Sequence, residues 1–140
     1  MGTVTTFDHT ADVGLRIEGA DLDDLFRTAA EGMFDYIVVN RNELQPIETE
    51  SLELKAETTD ELLADWLGEL IFRSETGHRL YGSFNVHVDE AETSLRAIIS
   101  GESIDPERHV LDHEVKAVTR HGLSVSRIDE GWTAEVILDI

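Results

Sequence analysis

Segments in which apolar and polar residues alternate fill most of the second half of this chain, and they restrict its fold more than any other feature. The alternation occupies residues 84–88, 95–99, 115–119, 123–128 and 132–138. A period of two places successive side chains on opposite faces of a strand, as in a sheet with one buried face. Short polar turns such as Asp129-Glu130-Gly131 separate these segments, which is typical of antiparallel hairpins.

The first half of the chain contains two more alternating segments, residues 13–18 and 52–56, and two amphipathic helices. Asp21 is a favourable N-cap for a helix over residues 22–38, and Thr58 with Glu61 can form a capping box before a second helix. Both apolar stripes, which include Phe34 and Trp66, should face a sheet. We therefore predict one α+β domain over residues 1–140, with two helices on a mostly antiparallel sheet of about seven strands.

The composition argues against several classes of protein. Thirty acidic residues against 11 Lys and Arg give a formal net charge of −19, which disfavours direct binding of nucleic acid. The absence of cysteine excludes disulfides, and no apolar run is long enough for a membrane span. The chain start lacks a signal-peptide pattern, so we expect a cytoplasmic protein. The spread of the acids favours adaptation to a high-salt cytoplasm over steering toward a basic partner.

A polar cluster precedes the first predicted strand, in the sequence Phe7-Asp8-His9-Thr10-Ala11-Asp12-Val13. Such groups either point into a cleft or toward a partner, or they form a turn by bonding their own backbone. The last predicted strand continues to Asp139-Ile140, where the terminal carboxylate follows another carboxylate. Together with Asp12 these groups would form a hard-oxygen site for Ca²⁺ or Mg²⁺, provided that Asp12 and Asp139 meet.

One of the two lysines of the chain, Lys116, lies in the segment of residues 114–121, which contains the predicted strand at residues 115–119. We expect it to act as a counter-charge to a carboxylate cluster or as a partner contact. Its strand should turn Val115, Ala117 and Thr119 inward, and Lys116, Val118 and Arg120 outward. The remaining histidines carry no hypothesis: His121 is assigned to the surface, and the others to loops or exposed faces, namely His78, His87, His109 and His113.

Three segments together resemble the archease family: the DHTADV sequence at residues 8–13, EVKAVT at residues 114–119, and the terminal Asp139-Ile140. The resemblance extends through both predicted helices and Gly101-Glu102 and so covers essentially the whole chain. It implies a protein activator of the RtcB-type tRNA-splicing RNA ligase, which promotes guanylylation and multiple turnover of that enzyme and meets tRNA only through it. It also implies that Asp12, Asp139 and the Ile140 carboxylate bind a divalent cation such as calcium.

Two other functions stay open at this point. A small metal-dependent hydrolase could use His9, Asp12 and His121, although the histidines lack the spacing of zinc ligands and no nucleophile motif occurs. A chaperone-like interaction module would need no metal. In the activator hypothesis, His9 holds the Asp12 loop by a hydrogen bond or reaches the partner. The sequence indicates no oligomeric state.

Overall fold

Seven strands and two α-helices form the part of the chain that the structure, a computed structural model, describes. That part comprises residues 2–9 and 12–140, and of residues 8 and 9 it includes the backbone alone. The helices are α1 (Leu22–Ile37) and α2 (Thr59–Gly77), and a short 3₁₀ turn lies at Arg41–Glu43. The strands are β1 (Thr3–His9), β2 (Asp12–Gly19), β3 (Glu48–Lys55), β4 (Arg79–Asp89), β5 (Ser94–Ser103), β6 (Ala117–Ile128) and β7 (Gly131–Asp139).

The strands divide between two antiparallel sheets, where the sequence suggested one. The four-stranded sheet has the order β1-β2-β7-β6, and the three-stranded sheet has the order β3-β5-β4. Helix α1 contacts β1, β2 and β7 of the first sheet and β4 of the second, while α2 contacts β6 on one side and β3, β4 and β5 on the other. The helices therefore form a layer between the sheets. A helix between two sheets buries residues on more than one side, as α1 does. A single apolar stripe would cover only the side that faces one sheet.

The predicted helix starts are confirmed, and the first turn of each helix also protects an edge strand. Asp21 accepts a hydrogen bond from the Asp24 amide, and Thr58 accepts one from the Glu61 amide. Asp23 of α1 accepts from the Val88 N–H of edge strand β4 at 2.8 Å, and Asp60 of α2 accepts from the Val125 N–H of edge strand β6 at 3.0 Å. Each carboxylate thus accepts a hydrogen bond from a backbone N–H of an edge strand. Without that bond, the N–H could pair with a strand of another chain.

The core between the sheets contains the large side chains that the periodicity assigned to it. Trp66 and Phe34 are fully buried, as predicted. The Trp66 indole N–H donates to the Phe26 carbonyl oxygen at 2.9 Å, and its ring meets Phe84 edge-on with centroids 6.3 Å apart. This single hydrogen bond ties α2 to α1 inside an apolar environment. In the described chain, no helix is both long and apolar enough to cross a bilayer.

Two strand predictions need correction. Residues 3–9 form strand β1 rather than only a polar approach to the next strand. Residues 117–128 form one strand rather than two, because the turn expected near Gly122 is a bulge: pairing with β7 shifts between Thr119 and Ser124, and Gly122 adopts φ +69°. The predicted facing is confirmed for buried Val115 and for exposed Lys116 and Arg120, but it is wrong for residues 117–119. Val118 pairs with buried Leu138 and packs on the core, which turns Ala117 and Thr119 toward the outer face.

Candidate functional site

One row of paired residues across the four-stranded sheet contains the predicted carboxylate ligands. Asp12 of β2 pairs directly with Asp139 of β7. The row continues on one side to His9 of β1 and on the other to Ala117 of β6. Residues directly opposite each other on antiparallel strands have side chains on the same face, with Cβ atoms about 5 Å apart. The two aspartates, which come from opposite ends of the chain, therefore lie side by side.

Asp12 and Asp139 are the described side chains that would hold the expected divalent cation. Asp12 and Asp139 are both half-buried, and they lie on the face away from the helices because their neighbours Val13 and Leu138 are buried in the core. Ile140 follows Asp139, and its side chain packs against the core. Calcium prefers six to eight oxygen ligands, and two aspartates with a main-chain carboxylate would supply only part of that shell, with water completing it. Among the described side chains, no group of three or more His, Asp or Glu is placed to hold a metal ion. The third donor here would be the main-chain carboxylate.

The aromatic ring of Phe7, next to this row, packs β1 against β2. The Phe7 ring lies directly over Gly14, where an added Cβ would come within 2.1 Å of the ring. The Arg16 guanidinium lies 5.1 Å from the centroid of the same ring, and its Nε donates to Glu135 at 2.9 Å. Glycine at position 14 therefore lets Phe7 lie flat on the sheet, two residues from Asp12. The His9 side chain, to which the sequence assigned an anchoring or partner-contact role, lies outside the described residues.

Lys116 is connected to Asp139 through its backbone, and its side chain lines a cavity along α2. Its N–H donates to the Asp139 carbonyl oxygen at 2.8 Å. The side chain is exposed and lines a groove along α2, where it forms no ion pair with a described residue. This position favours the partner-contact role over the counter-charge role. The preceding segment is held to α1 by a stack of His113 on Tyr36, with ring centroids 4.1 Å apart.

Comparison with known proteins establishes the family. The model described as Archease protein family (MTH1598/TM1083) matches residues 5–140. The chain belongs to the archease family. It is 38% identical over 137 residues to the protein archease of Methanopyrus kandleri, covering 95% of this chain and 96% of that one. It is 33% identical to the protein archease of Pyrococcus abyssi, covering 96% of each.

Two solved structures have the same fold as this archease-family chain. The solution structure of Methanobacterium thermoautotrophicum protein 1598 is 36% identical, covers 98% of both chains and has a TM-score of 0.85. The crystal structure of a Thermotoga maritima archease, described as a possible chaperone, has a TM-score of 0.67 at 18% identity and covers 97% of this chain. The latter likeness concerns the fold alone. The α+β fold and the family expected from the sequence are thereby confirmed.

This archease-family chain also contains a buried polar cluster that the sequence pattern did not indicate. His109 lies in a loop, as the assignment to loops or exposed faces allowed, but its side chain is buried. Its Nδ1 accepts from the Asp105 N–H at 2.8 Å, which leaves the proton on Nε2, 3.4 Å from the Glu102 carboxylate. Glu102 also accepts from the Gln45 N–H at 2.7 Å and pairs with Arg108. The only signal in the sequence was the resemblance of Gly101-Glu102 to the family.

These partners determine the ionisation of Glu102. Burial alone would raise the pKa of this carboxyl, but the Gln45 N–H, His109 and Arg108 outweigh that effect and lower its pKa below the ordinary value of 4.5. Glu102 therefore stays ionised and holds the loop of residues 104–113 against β5.

A second polar cluster lies on the three-stranded sheet. The Tyr81 hydroxyl donates to Glu50 at 2.5 Å, and burial together with this carboxylate raises the pKa of Tyr81 to about 12.

The hydrolase hypothesis needs His121 close to Asp12, and the strand register does not pair them. Thr119 pairs with Ile137, which pairs with Gly14, so this row is already two residues from the Asp12 row. His121 lies further along, in the bulged part of β6, and is exposed.

Proposed function

We propose that this archease-family protein activates an RtcB-type tRNA-splicing RNA ligase, promoting its guanylylation and multiple turnover, and that Asp12, Asp139 and the Ile140 carboxylate bind the divalent cation required for this. The observation that carries the proposal is the direct pairing of Asp12 with Asp139. Like charges directly opposite each other on a sheet destabilise it, and a cation between them turns the repulsion into attraction. Calcium is the first choice of ion and magnesium the second.

The chain's own groups would act by electrostatics at the ligase active site. An enzyme that binds RNA and GTP has a basic cleft, and a protein of net charge −19 associates with such a cleft readily. A divalent cation held by the carboxylates would neutralise phosphate charge during nucleotidyl transfer. Asp12 and Asp139 hold and orient the ion at the end of a rigid sheet. The protein's own charge keeps tRNA at a distance, so RNA meets it only through the ligase.

Multiple-turnover ligation of tRNA halves by the ligase, with and without this protein, tests the proposal. Asp12→Asn and Asp139→Asn keep the shape of each side chain and remove its charge, so each variant should fold and fail to stimulate turnover. One residue added after Ile140 moves the free carboxylate about 3.3 Å along the strand, which exceeds calcium–oxygen contact distance. The same addition before Met1 is the control and should be harmless.

The outcomes separate the activator from its alternatives. Stimulation that survives chelation and both asparagine substitutions would identify a metal-independent interaction module. Turnover of a substrate by the purified protein alone would support the hydrolase. A C-terminal addition that leaves calcium affinity and ligase stimulation intact would contradict the three-carboxylate site.

A further inference from the structure

A continuous groove runs along the outward-facing side of α2. Its floor is one helical stripe, Ala64, Gly68, Ile71, Phe72 and Glu75, and we call it the α2 groove. Two cavities of about 450 and 410 Å³ form its two halves, and they join because Ile71 and Glu75 line both. The stripe spans 11 residue steps, which at 1.5 Å per residue gives a length of about 16 Å. The chain segment 111–120 forms one wall along both halves.

The floor of the α2 groove is shaped for contact with another molecule rather than for packing within this chain. Gly68 lies in the middle of α2, where glycine destabilises a helix relative to alanine. A Cβ added there would meet no atom within 4 Å, so nothing described in the chain requires the glycine. One turn later, the Phe72 side chain is 60% exposed. The combination leaves an open notch beside an exposed aromatic ring.

The charges around the α2 groove select the chemistry of its occupant. In the half near its C-terminal end, Glu75, Asp112 and Glu114 line the cavity, without a lysine or arginine among the lining residues. Glu75 and Glu114 form no ion pair with any described residue. In the other half, Arg120 already pairs with Glu61 and Asp65 of α2. The apolar floor with unpaired acids at one end therefore fits a segment with apolar side chains followed by lysine or arginine.

The α2 groove also lies next to the candidate cation site. Lys116 lines the groove, and its N–H donates to the carbonyl of Asp139, which pairs with Asp12. A segment bound along α2 would thus pass Lys116, which is hydrogen-bonded through its backbone to one of the two aspartates. We propose that the α2 groove is the docking site for a basic, apolar segment of the ligase, and that docking there brings the carboxylate row to the ligase active site. This inference rests on the proposed function above.

Binding of the purified RtcB-type ligase, measured by calorimetry, tests the docking site. Gly68→Leu fills the notch, Phe72→Ala removes the exposed ring, and Glu75→Arg reverses the charge. Each should weaken binding at least tenfold while leaving the melting temperature unchanged or, for Gly68→Leu, higher. The matched controls are Ile98→Ala, which removes another exposed apolar side chain, and Glu92→Arg, which reverses an exposed charge in the β4–β5 turn. Both controls should bind like the wild type.

A competition experiment separates docking from the role of the cation. Asp12→Asn in excess should occupy the ligase and block stimulation by the wild type, whereas Phe72→Ala in excess should not. Groove variants that bind as tightly as the wild type would overturn the docking site and leave the activator proposal standing. Lost binding in the groove variants with full stimulation by Asp12→Asn would overturn the cation's role alone. A wild-type protein that neither binds nor stimulates the ligase would overturn both.

Discussion

The paired aspartates should repel each other in the absence of a divalent cation, and the size of this repulsion can be worked out from the register. Direct pairing places the Cβ atoms of Asp12 and Asp139 about 5 Å apart. Two unit charges at that distance interact by about 0.8 kcal/mol in water and about 3 kcal/mol at an effective dielectric constant of 20. Because both side chains are half-exposed, the expected value is about 1 kcal/mol, or about 3–5 °C in melting temperature for a chain of 140 residues.

A double-mutant cycle with asparagine at both positions isolates this term from the other contacts of each residue. Urea unfolding in EDTA should show a coupling energy of about 1 kcal/mol that disfavours the folded wild type, because neutralising either residue relieves the repulsion and the second substitution adds nothing further. Calcium at a hundred times its dissociation constant should stabilise the wild type by about 2.7 kcal/mol. Each single variant should lose most of that gain.

The control for this cycle is Glu18→Gln, an exposed position on the same strand that pairs with Thr3 and Thr133. It should keep the full calcium effect. Equal stabilisation of the wild type and all three cycle variants by calcium would place the ion elsewhere. A coupling energy of zero in EDTA would show that the two carboxylates do not face each other as the register indicates.

Four further predictions follow from the core, the surface and the polar clusters. Trp66→Ala should lower the free energy of unfolding by about 3–5 kcal/mol in urea, since the ring is fully buried and bonded to Phe26; a loss under about 1 kcal/mol would contradict its central position. The melting temperature should rise from low to molar KCl as screening relieves the repulsion among acids; a flat profile would favour partner steering. Tyr81 should titrate near pH 12 by ultraviolet absorbance, and Glu50→Gln should lower its pKa. Because the folded pKa of Glu102 lies below 4.5, its contribution to stability is full above that pH and is lost as the pH falls further; Glu102→Gln should flatten this loss in acid unfolding.

The helices could be predicted from the sequence because their signals are local. Asp21 and Thr58 mark both starts within a residue, and the apolar stripes identify Phe34 and Trp66 as core residues. The predicted number of strands, seven, was also right, but only because one missed strand and one strand counted twice cancel each other. Strand β1 was missed, and β6 was divided into two. A glycine with positive φ suits a hairpin turn and a bulge alike, so Gly122 alone could not distinguish them.

The sheet order and the site depend on contacts that no local pattern encodes. That Asp12 meets Asp139 follows from β2 pairing with β7, a contact between the two ends of the chain. The division into two sheets follows from where the helices pack, which their stripes alone do not specify. His109 could not be recognised as buried, because its partners Asp105 and Glu102 lie in a loop and at the end of a strand without a regular period.

The strand order gives the three segments that resemble the archease family one physical location. The DHTADV segment ends at the start of β2, EVKAVT contains the start of β6, and Asp139-Ile140 lies at the end of β7 between them. These three segments, which are distant in the chain, thus meet at a single edge of the four-stranded sheet. Lys116 stands at the corner of this edge, with its backbone on Asp139 and its side chain in the α2 groove. A molecule that reaches the carboxylates from the groove side would therefore pass Lys116, and in the docking site that we propose this lysine is a partner contact.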